Sequence, residues 1–515
     1  MCELIFYNAR AITMNPAQPL AQLVAIRGKK IFAVGDNSAL SGFPKRGSRV
    51  IDCGGKTLLP GFIDAHCHIY AYGENILSLS LSPRDGVLSI ADIQRLIHNH
   101  SRTKRSGTWI RAKGYDEFYL AEKRHPNRWD LDRAAPAHPV KLSHRSGHAH
   151  VLNSLALKYV GISAETGDPP GGVIDRDPAT GEPTGILYGM SEYLSKRVPS
   201  LDDTDLKQSI ALVNRRLLSY GITSVQDASS ANNRDRWQRF LSWKTQKVFL
   251  PRVTMMMGYR HFLEMIRERR ELDSADSEVC ITGVKIVAGQ VTGSLNPGPE
   301  ELTRMIAVIQ QAGLQAAVHG VEVPVIEAVC DAVECLMKMC ARPDPRHRIE
   351  HCSLCPPPLL KRMAKLGIYV VTQPSFIHFN GERYVKTIPA EELENIYPIG
   401  SMLRAGVRIG FSSDFPIVDP NPLVGIQAAI LRRAENGVPI QPHEGIGLLD
   451  AIRLYTLGAA GAAHQESTQG SVSPGKFADL VLLNEDISRI APEHIKDVRV
   501  QMTVLDGQIV HEEQV

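Results

Sequence analysis

The residues of this chain that could do chemistry start with two histidines one residue apart. His66 and His68 close the run Leu58-Leu59-Pro60-Gly61-Phe62-Ile63-Asp64-Ala65-His66-Cys67-His68. In a strand, residues i and i+2 point to the same side, so the two imidazoles can face one ion together. Neutral imidazole is a favoured ligand for zinc and similar metals. In a chain with 18 histidines such a pair needs partners. Four further runs supply them. Thr282–Val287 carries Lys285, Leu314–His319 ends in His319, His347–His351 ends in His351, and Val407–Asp414 ends in Asp414. Four histidines and a carboxylate suit zinc with a position left open for water. Such an ion lowers the pKa of its water towards ~7. Asp414 would orient that water, take its proton and pass it to a leaving nitrogen.

The spacing of these residues indicates what must position them. Lys285 and His319 are 34 residues apart, His319 and His351 are 32, and His351 and Asp414 are 63. The last interval holds one more strand-like run, Gly367–Gln373, which carries no ligand. About 30 residues is the size of a strand-plus-helix unit, and helix-like segments fall between the runs at 299–312, 323–340 and 389–405. Earlier units read as helix 203–219, strand 221–227 and strand 252–257. Alternating strands and helices with polar residues at the strands' carboxyl ends predict an α/β fold, a (β/α)8 TIM-type barrel with its site on that face.

At 515 residues the chain exceeds one barrel of ~250 residues, so further modules are expected. Short strand patterns fill residues 1–57 (2–7, 10–13, 22–27, 30–34 and 49–52) and recur at 477–483, 498–505 and 508–510. The expectation is a small β-sandwich built from both chain ends, 1–57 with 468–515, around a barrel of 58–69 and 201–467. Residues 70–200 are too long for a loop and read as an insertion capping the active site. It shows a helical pattern at 89–104, a strand pattern at 108–113 and Pro/Gly-rich turns at 168–184. Net charge of +3 gives no electrostatic case for nucleic acid or anionic membrane. No apolar run approaches the ~20 residues of a membrane span, and the amino terminus lacks the features of a signal peptide. Nine cysteines without a paired framework fit free thiols in a reducing compartment. Cytoplasm is therefore the expected location and a small molecule the expected partner.

Pro60-Gly61-Phe62-Ile63-Asp64-Ala65-His66-Cys67-His68 resembles the opening signature of the amidohydrolase superfamily, and Lys285, His319, His351 and Asp414 follow in its metal-site order. Gly114-Tyr115-Asp116-Glu117, Leu131–Pro136, Gly147-His148-Ala149-His150 with Val151–Leu157, and Ser413-Asp414-Phe415-Pro416 are similar to the YtcJ-like (amidohydrolase 3) branch, which includes N-substituted formamide deformylases. The resemblance covers nearly the whole chain. It implies hydrolysis of a C–N bond by metal-activated hydroxide, in an amide, N-formyl or cyclic amide, with Asp414 as general base and acid. It implies His66, His68, Lys285, His319, His351 and Asp414 as the metal site, with one or two Zn2+ per chain and Mn2+ or Fe2+ as alternatives. Lys285 would be N6-carboxylated to bridge two ions; the reading left open beside it is a lysine paired with Asp227 or Asp414 next to a single ion. His148 resembles a pocket-facing histidine that donates to the oxyanion. Tyr115, Asp116 and Phe415 are candidate substrate-binding residues, and His144, His150 and Asn153 read as scaffold. The resemblance also suggests a homodimer.

One departure keeps other readings open. His319-Gly320-Val321-Glu322 resembles the His-x-x-Glu of mononuclear deaminases, in which the glutamate shuttles a proton. Glu322 is then either that shuttle, for hydrolytic deamination of a heteroaromatic ring at one ion, or an acidic residue opening the next helix. A catalytically silent regulatory relative is the third alternative.

Overall fold

The computed structural model describes residues 4–43, 47–169, 171–199, 201–268, 278–291, 294–339 and 342–513. They form two compact units, residues 1–69 with 210–515, and residues 70–209.

The first unit is built on eight parallel strands: β1 Phe62–Cys67, β2 Ile222–Asp227, β3 Arg252–Gly258, β4 Val279–Ile286, β5 Gln315–Gly320, β6 Arg348–His351, β7 Tyr369–Thr372 and β8 Arg408–Phe411. They pair in chain order from β1 to β8. Both faces of these strands are covered, so they read as near-continuous apolar runs. The closing seam lies just past the paired strands. Asp414 N donates to the His66 carbonyl at 3.0 Å and His68 N to the Phe415 carbonyl at 2.9 Å. Asp64 spans the same seam, accepting from Ser413 N at 3.2 Å and from Ser413 Oγ at 2.5 Å. The seam thus fixes the first-strand histidines against Asp414.

The connecting helices follow from local signals. The helix Val323–Met339 buries Val325, Ile326, Val329, Cys330, Val333 and Leu336, a 3.6-residue stripe. Each large aliphatic side chain so buried contributes roughly 1.5–3 kcal/mol. Pro357–Leu366 opens with proline at its first turn and stops at Gly367, whose φ of 67° suits glycine. The expected helices 203–219, 299–312 and 323–340 are present as Asp203–Ser219, Pro299–Gln311 and Val323–Met339. The one expected at 389–405 is instead two short helices, Ala390–Leu393 and Ile399–Arg404. Pro398 between them has no N–H to continue the ladder, and Tyr397 before it lies at φ 43°.

Strands from both chain ends share one six-stranded sheet. Leu480–Leu483 pairs with Thr57–Pro60, which pairs with Arg10–Ile12. A four-stranded sheet of Leu4–Tyr7, Leu23–Arg27, Lys30–Gly35 and Arg49–Asp52 packs into the same apolar core, where Phe6, Val24 and Ile26 meet Leu58, Leu482 and Val504. The six-stranded sheet takes in Pro60, so the barrel strand proper starts at Phe62, a few residues beyond the expected boundary.

The second unit carries a six-stranded sheet of Leu79–Ser80, Ile110–Tyr115, Val140–His144, Ala149–Leu152, Val173–Arg176 and Pro183–Tyr188. The helix Ile90–Ser101 has an Ser89 cap and packs Ile90, Ile93 and Ile97 into this unit's core. Only one of these strands is legible as a pattern in the sequence, because the others are short and broken by glycine and proline.

Candidate metal centre

His66, His68 and Asp414 bring one ligand atom each within 4.8 Å of one another. His68 Nε2 is 3.1 Å from Asp414 Oδ1, and His66 Nε2 is 3.5 Å from the same oxygen. Behind His66 lies Glu350, whose Oε2 hydrogen-bonds His66 Nδ1. Burial alone pushes the Glu350 carboxyl up, but the neighbouring Arg348 and Lys285 outweigh it and hold the pKa below the ordinary value. As a carboxylate Glu350 can only accept, so Nδ1 carries the His66 proton and the Nε2 lone pair faces Asp414. Two acceptors facing each other repel unless a cation lies between them. Consistent with that, Asp414 Oδ1 is a buried oxygen with no hydrogen-bond partner among the described residues. The donor set of imidazole nitrogens and carboxylate oxygen therefore fits a divalent metal.

His319 and His351 belong to the same cluster. The His351 ring centre lies 4.8 Å from that of His66 and 4.6 Å from that of His319. Strand alternation alone would put His351 on the side of Ile349, away from Glu350. The left-handed backbone at His351, φ 73°, and Cys352, φ 50°, breaks that alternation. A non-glycine residue held there costs about 1–2 kcal/mol. Asp414 sits at φ 59° as well. Outer partners fix the rings: His351 Nδ1 bonds Gln373 Oε1 at 2.9 Å, and His68 Nδ1 bonds Ser229 Oγ at 3.0 Å. Burial, reinforced by the other cationic groups of the cluster, pushes His66 and His351 well below the usual histidine range, so both rings are neutral.

Lys285 projects from β4 with Nζ buried and without a hydrogen-bond partner among the described residues. Burial lowers its pKa to about 8, against the pull of Glu350 and Asp414. Asp227 is engaged elsewhere, accepting from Ile69 N at 2.8 Å, Ser229 N at 3.0 Å and Asn232 Nδ2 at 2.9 Å. The carbonyl of Glu322 accepts from Ile326 N at 3.2 Å, which places the residue at the start of the helix Val323–Met339. Its Oε2 is nevertheless buried with no hydrogen-bond partner among the described residues. Phe415 is fully buried and serves the seam through its carbonyl.

The remaining expected residues lie in the second unit. Tyr115 is fully buried in that unit's core with its hydroxyl 2.8 Å from His125 Nδ1. Asp116, Glu117 and His144 form a second convergence of ligand types. His144 Nε2 lies 2.9 Å from Glu117 Oε2, and Arg145 Nε is 3.6 Å from Asp116 Oδ2. His144 Nδ1 faces the Ser146 backbone N–H at 3.2 Å, which can only donate. Nε2 therefore bears the proton of the neutral ring and directs it at Glu117. His150 is held between Ser143 and Ser191 at 3.0 and 2.9 Å, a scaffold role, while His148 is exposed.

Five supporting residues escape a ligand search of the sequence: Gln226, Ser229, Arg348, Glu350 and Gln373. Arg348 and Glu350 did carry a signal. Two charges at i and i+2 in an otherwise apolar strand must share a buried face and must be paired there.

A family model described as "Amidohydrolase family" matches residues 49–511. The N-substituted formamide deformylase of Arthrobacter pascens is 28% identical over 99% of both chains. The putative amidohydrolase YtcJ of Bacillus subtilis is 27% identical over 90% of each. A crystal structure of an uncharacterized metal-dependent hydrolase from Pyrococcus horikoshii shares the fold with a TM-score of 0.76 at 22% identity, covering 95% of this chain and 99% of that one. This chain belongs to the amidohydrolase family and is a hydrolase acting on carbon–nitrogen bonds other than peptide bonds.

Proposed function

We propose that the chain hydrolyses the C–N bond of a small-molecule amide, N-formyl or cyclic amide substrate, with His66, His68, His319, His351 and Asp414 holding the metal. The observation that carries this reading is the pair of acceptors, His66 Nε2 and Asp414 Oδ1, 3.5 Å apart in a buried site. Zinc suits these donors. A divalent cation bound there polarises a carbonyl and makes water a stronger acid. Asp414 Oδ1 accepts the proton of the attacking water and returns it to the leaving nitrogen. Glu350, Gln373 and Ser229 hold the imidazoles in their orientations, so little reorganisation accompanies the reaction. The buried Lys285 amine, partly uncharged near neutral pH, reacts with CO2 and loses a proton to give a carbamate, which supplies a further carboxylate for a second ion. The deformylase relative, aligned over nearly its whole length, makes N-formyl compounds the first substrates to test.

The Glu322 oxygen, without a hydrogen-bond partner among the described residues, favours a second reading, a mononuclear deaminase with Glu322 as proton shuttle. One experiment separates the two. Metal is counted per chain, intact mass is read for a carbamate on Lys285, and N-formyl, N-acyl and cyclic amides are assayed beside heteroaromatic amines. Two ions, a carbamate and amide turnover that survives Glu322→Gln support the first reading. One ion, ammonia release from a ring amine and its loss in Glu322→Gln establish the second.

A further inference from the structure

On the opposite edge of the His66 ring from Asp414, a chain of charged and amide groups runs away from the metal-facing atoms. Arg348 and Glu350 are both fully buried. Arg348 Nε donates to Glu350 Oε1 at 2.5 Å and its NH2 to Glu350 Oε2 at 2.9 Å, a two-pronged contact that fixes the carboxylate plane. The guanidinium is anchored in turn, NH1 to Gln226 Oε1 at 2.6 Å and NH2 to the Ala65 carbonyl at 2.6 Å. Gln226 completes the chain by donating from Nε2 to the Ala459 carbonyl at 2.7 Å. Every member is saturated by the next, and the free end of the chain is Glu350 Oε2 against His66 Nδ1.

We propose that Glu350, gripped by Arg348, is the positioning residue of the metal centre: it accepts from His66 Nδ1–H and so keeps the Nε2 lone pair aimed at the metal. This rests on the metal reading above. It also explains why a strand that supplies one ligand, His351, carries two buried charges immediately before it. Such partners of metal-bound histidines set tautomer and ring orientation, and losing them lowers metal affinity by about 10–100-fold.

The isosteric variant makes a sharp test. In Glu350→Gln, Arg348 claims the one acceptor oxygen, so the amide NH2 turns to His66. Nδ1 must then accept, and the proton moves to Nε2, where the metal would bind. Glu350→Asp keeps the acceptor on both sides but not the length. Zn2+ and Co2+ are titrated into metal-stripped, folded wild type, Glu350→Gln and Glu350→Asp by calorimetry, with the cobalt visible spectrum recorded for each. The expected order of affinity is wild type, then Asp, then Gln, with Gln weaker than wild type by about 10–100-fold and its cobalt spectrum altered. A role in filling space predicts the opposite order, because glutamine preserves shape. Gln matching wild type, or ranking above Asp, overturns the proposal while leaving the metal centre standing. A wild type that binds neither ion overturns both. Should the variants not fold, histidine-selective 15N spectra of the zinc-loaded wild type decide: His66 protonated at Nδ1 supports the proposal, and protonated at neither nitrogen or at Nε2 refutes it.

Discussion

The two convergences of histidine with carboxylate differ in where their protons sit. In the barrel, His66 gives its proton to Glu350 on the outer side, leaving a lone pair against Asp414. In the second unit, the Ser146 N–H occupies Nδ1 of His144, so the ring's proton points at Glu117. The first arrangement leaves like atoms facing one another and calls for a cation. The second already holds a proton between its nitrogen and its carboxylate oxygen. Residue types and separations are nearly alike in the two places; the hydrogen bond on the far side of the imidazole decides which of them leaves a lone pair open to a cation.

The largest effect that tests this difference is expected at Asp414. Asp414→Asn keeps the size and seam hydrogen bond of the residue but removes its capacity to accept a proton, and turnover of a confirmed substrate should fall by about 10²–10⁴-fold. Unchanged turnover would sink the role given to it. Next comes metal removal. Dialysis against a chelator should abolish activity and lower thermal stability, since a ligand at 100 times its Kd stabilises by about 2.7 kcal/mol. His144→Ala should leave the number of ions bound per chain as it was. Loss of an ion from that variant would make the second convergence a metal site after all.

The smallest effect concerns the His144–Glu117 contact itself. Burial pushes Glu117 up, but the His144 ring outweighs it and holds the carboxyl well below its ordinary value of 4.5. Burial likewise lowers His144, and Asp116 and Glu117 outweigh it and raise the ring above 6.5. The depressed Glu117 contributes stability above about pH 4.5 that is lost as pH falls through its folded value. The raised His144 contributes stability below about pH 6.5 that is lost as pH rises through its folded value. The pair therefore helps most between those limits. Glu117→Gln should cost about 1 kcal/mol near pH 5.5 and progressively less towards pH 9, as read by denaturant melts. A penalty that does not vary with pH would mean the contact is not ionic.

Much of the barrel could be read along the chain because its evidence is local. A buried parallel strand needs an unbroken apolar run, and a following helix needs a 3.6-residue stripe with a proline or glycine boundary, as in Pro357–Leu366. The helix expected over 389–405 failed at Pro398, where local chemistry overrode the apolar spacing around it. The sheet of the second unit was mostly hidden, since strands of two to six residues interrupted by glycine and proline carry too few positions to establish a period.

For the site, the division is similar. The residue types at the strand ends were determined by sequence alone: His66, His68, Lys285, His319, His351 and Asp414 are where a barrel of this spacing would carry ligands. What tertiary structure decided is which lone pairs remain open. Gln373, on the strand that appeared to supply nothing, sets the ring of His351 from 22 residues away, and Glu350 sets His66 across 284 residues. A proton's position on an imidazole depends on the partner at its other nitrogen. That partner comes from a distant strand, which only the closed barrel brings within reach.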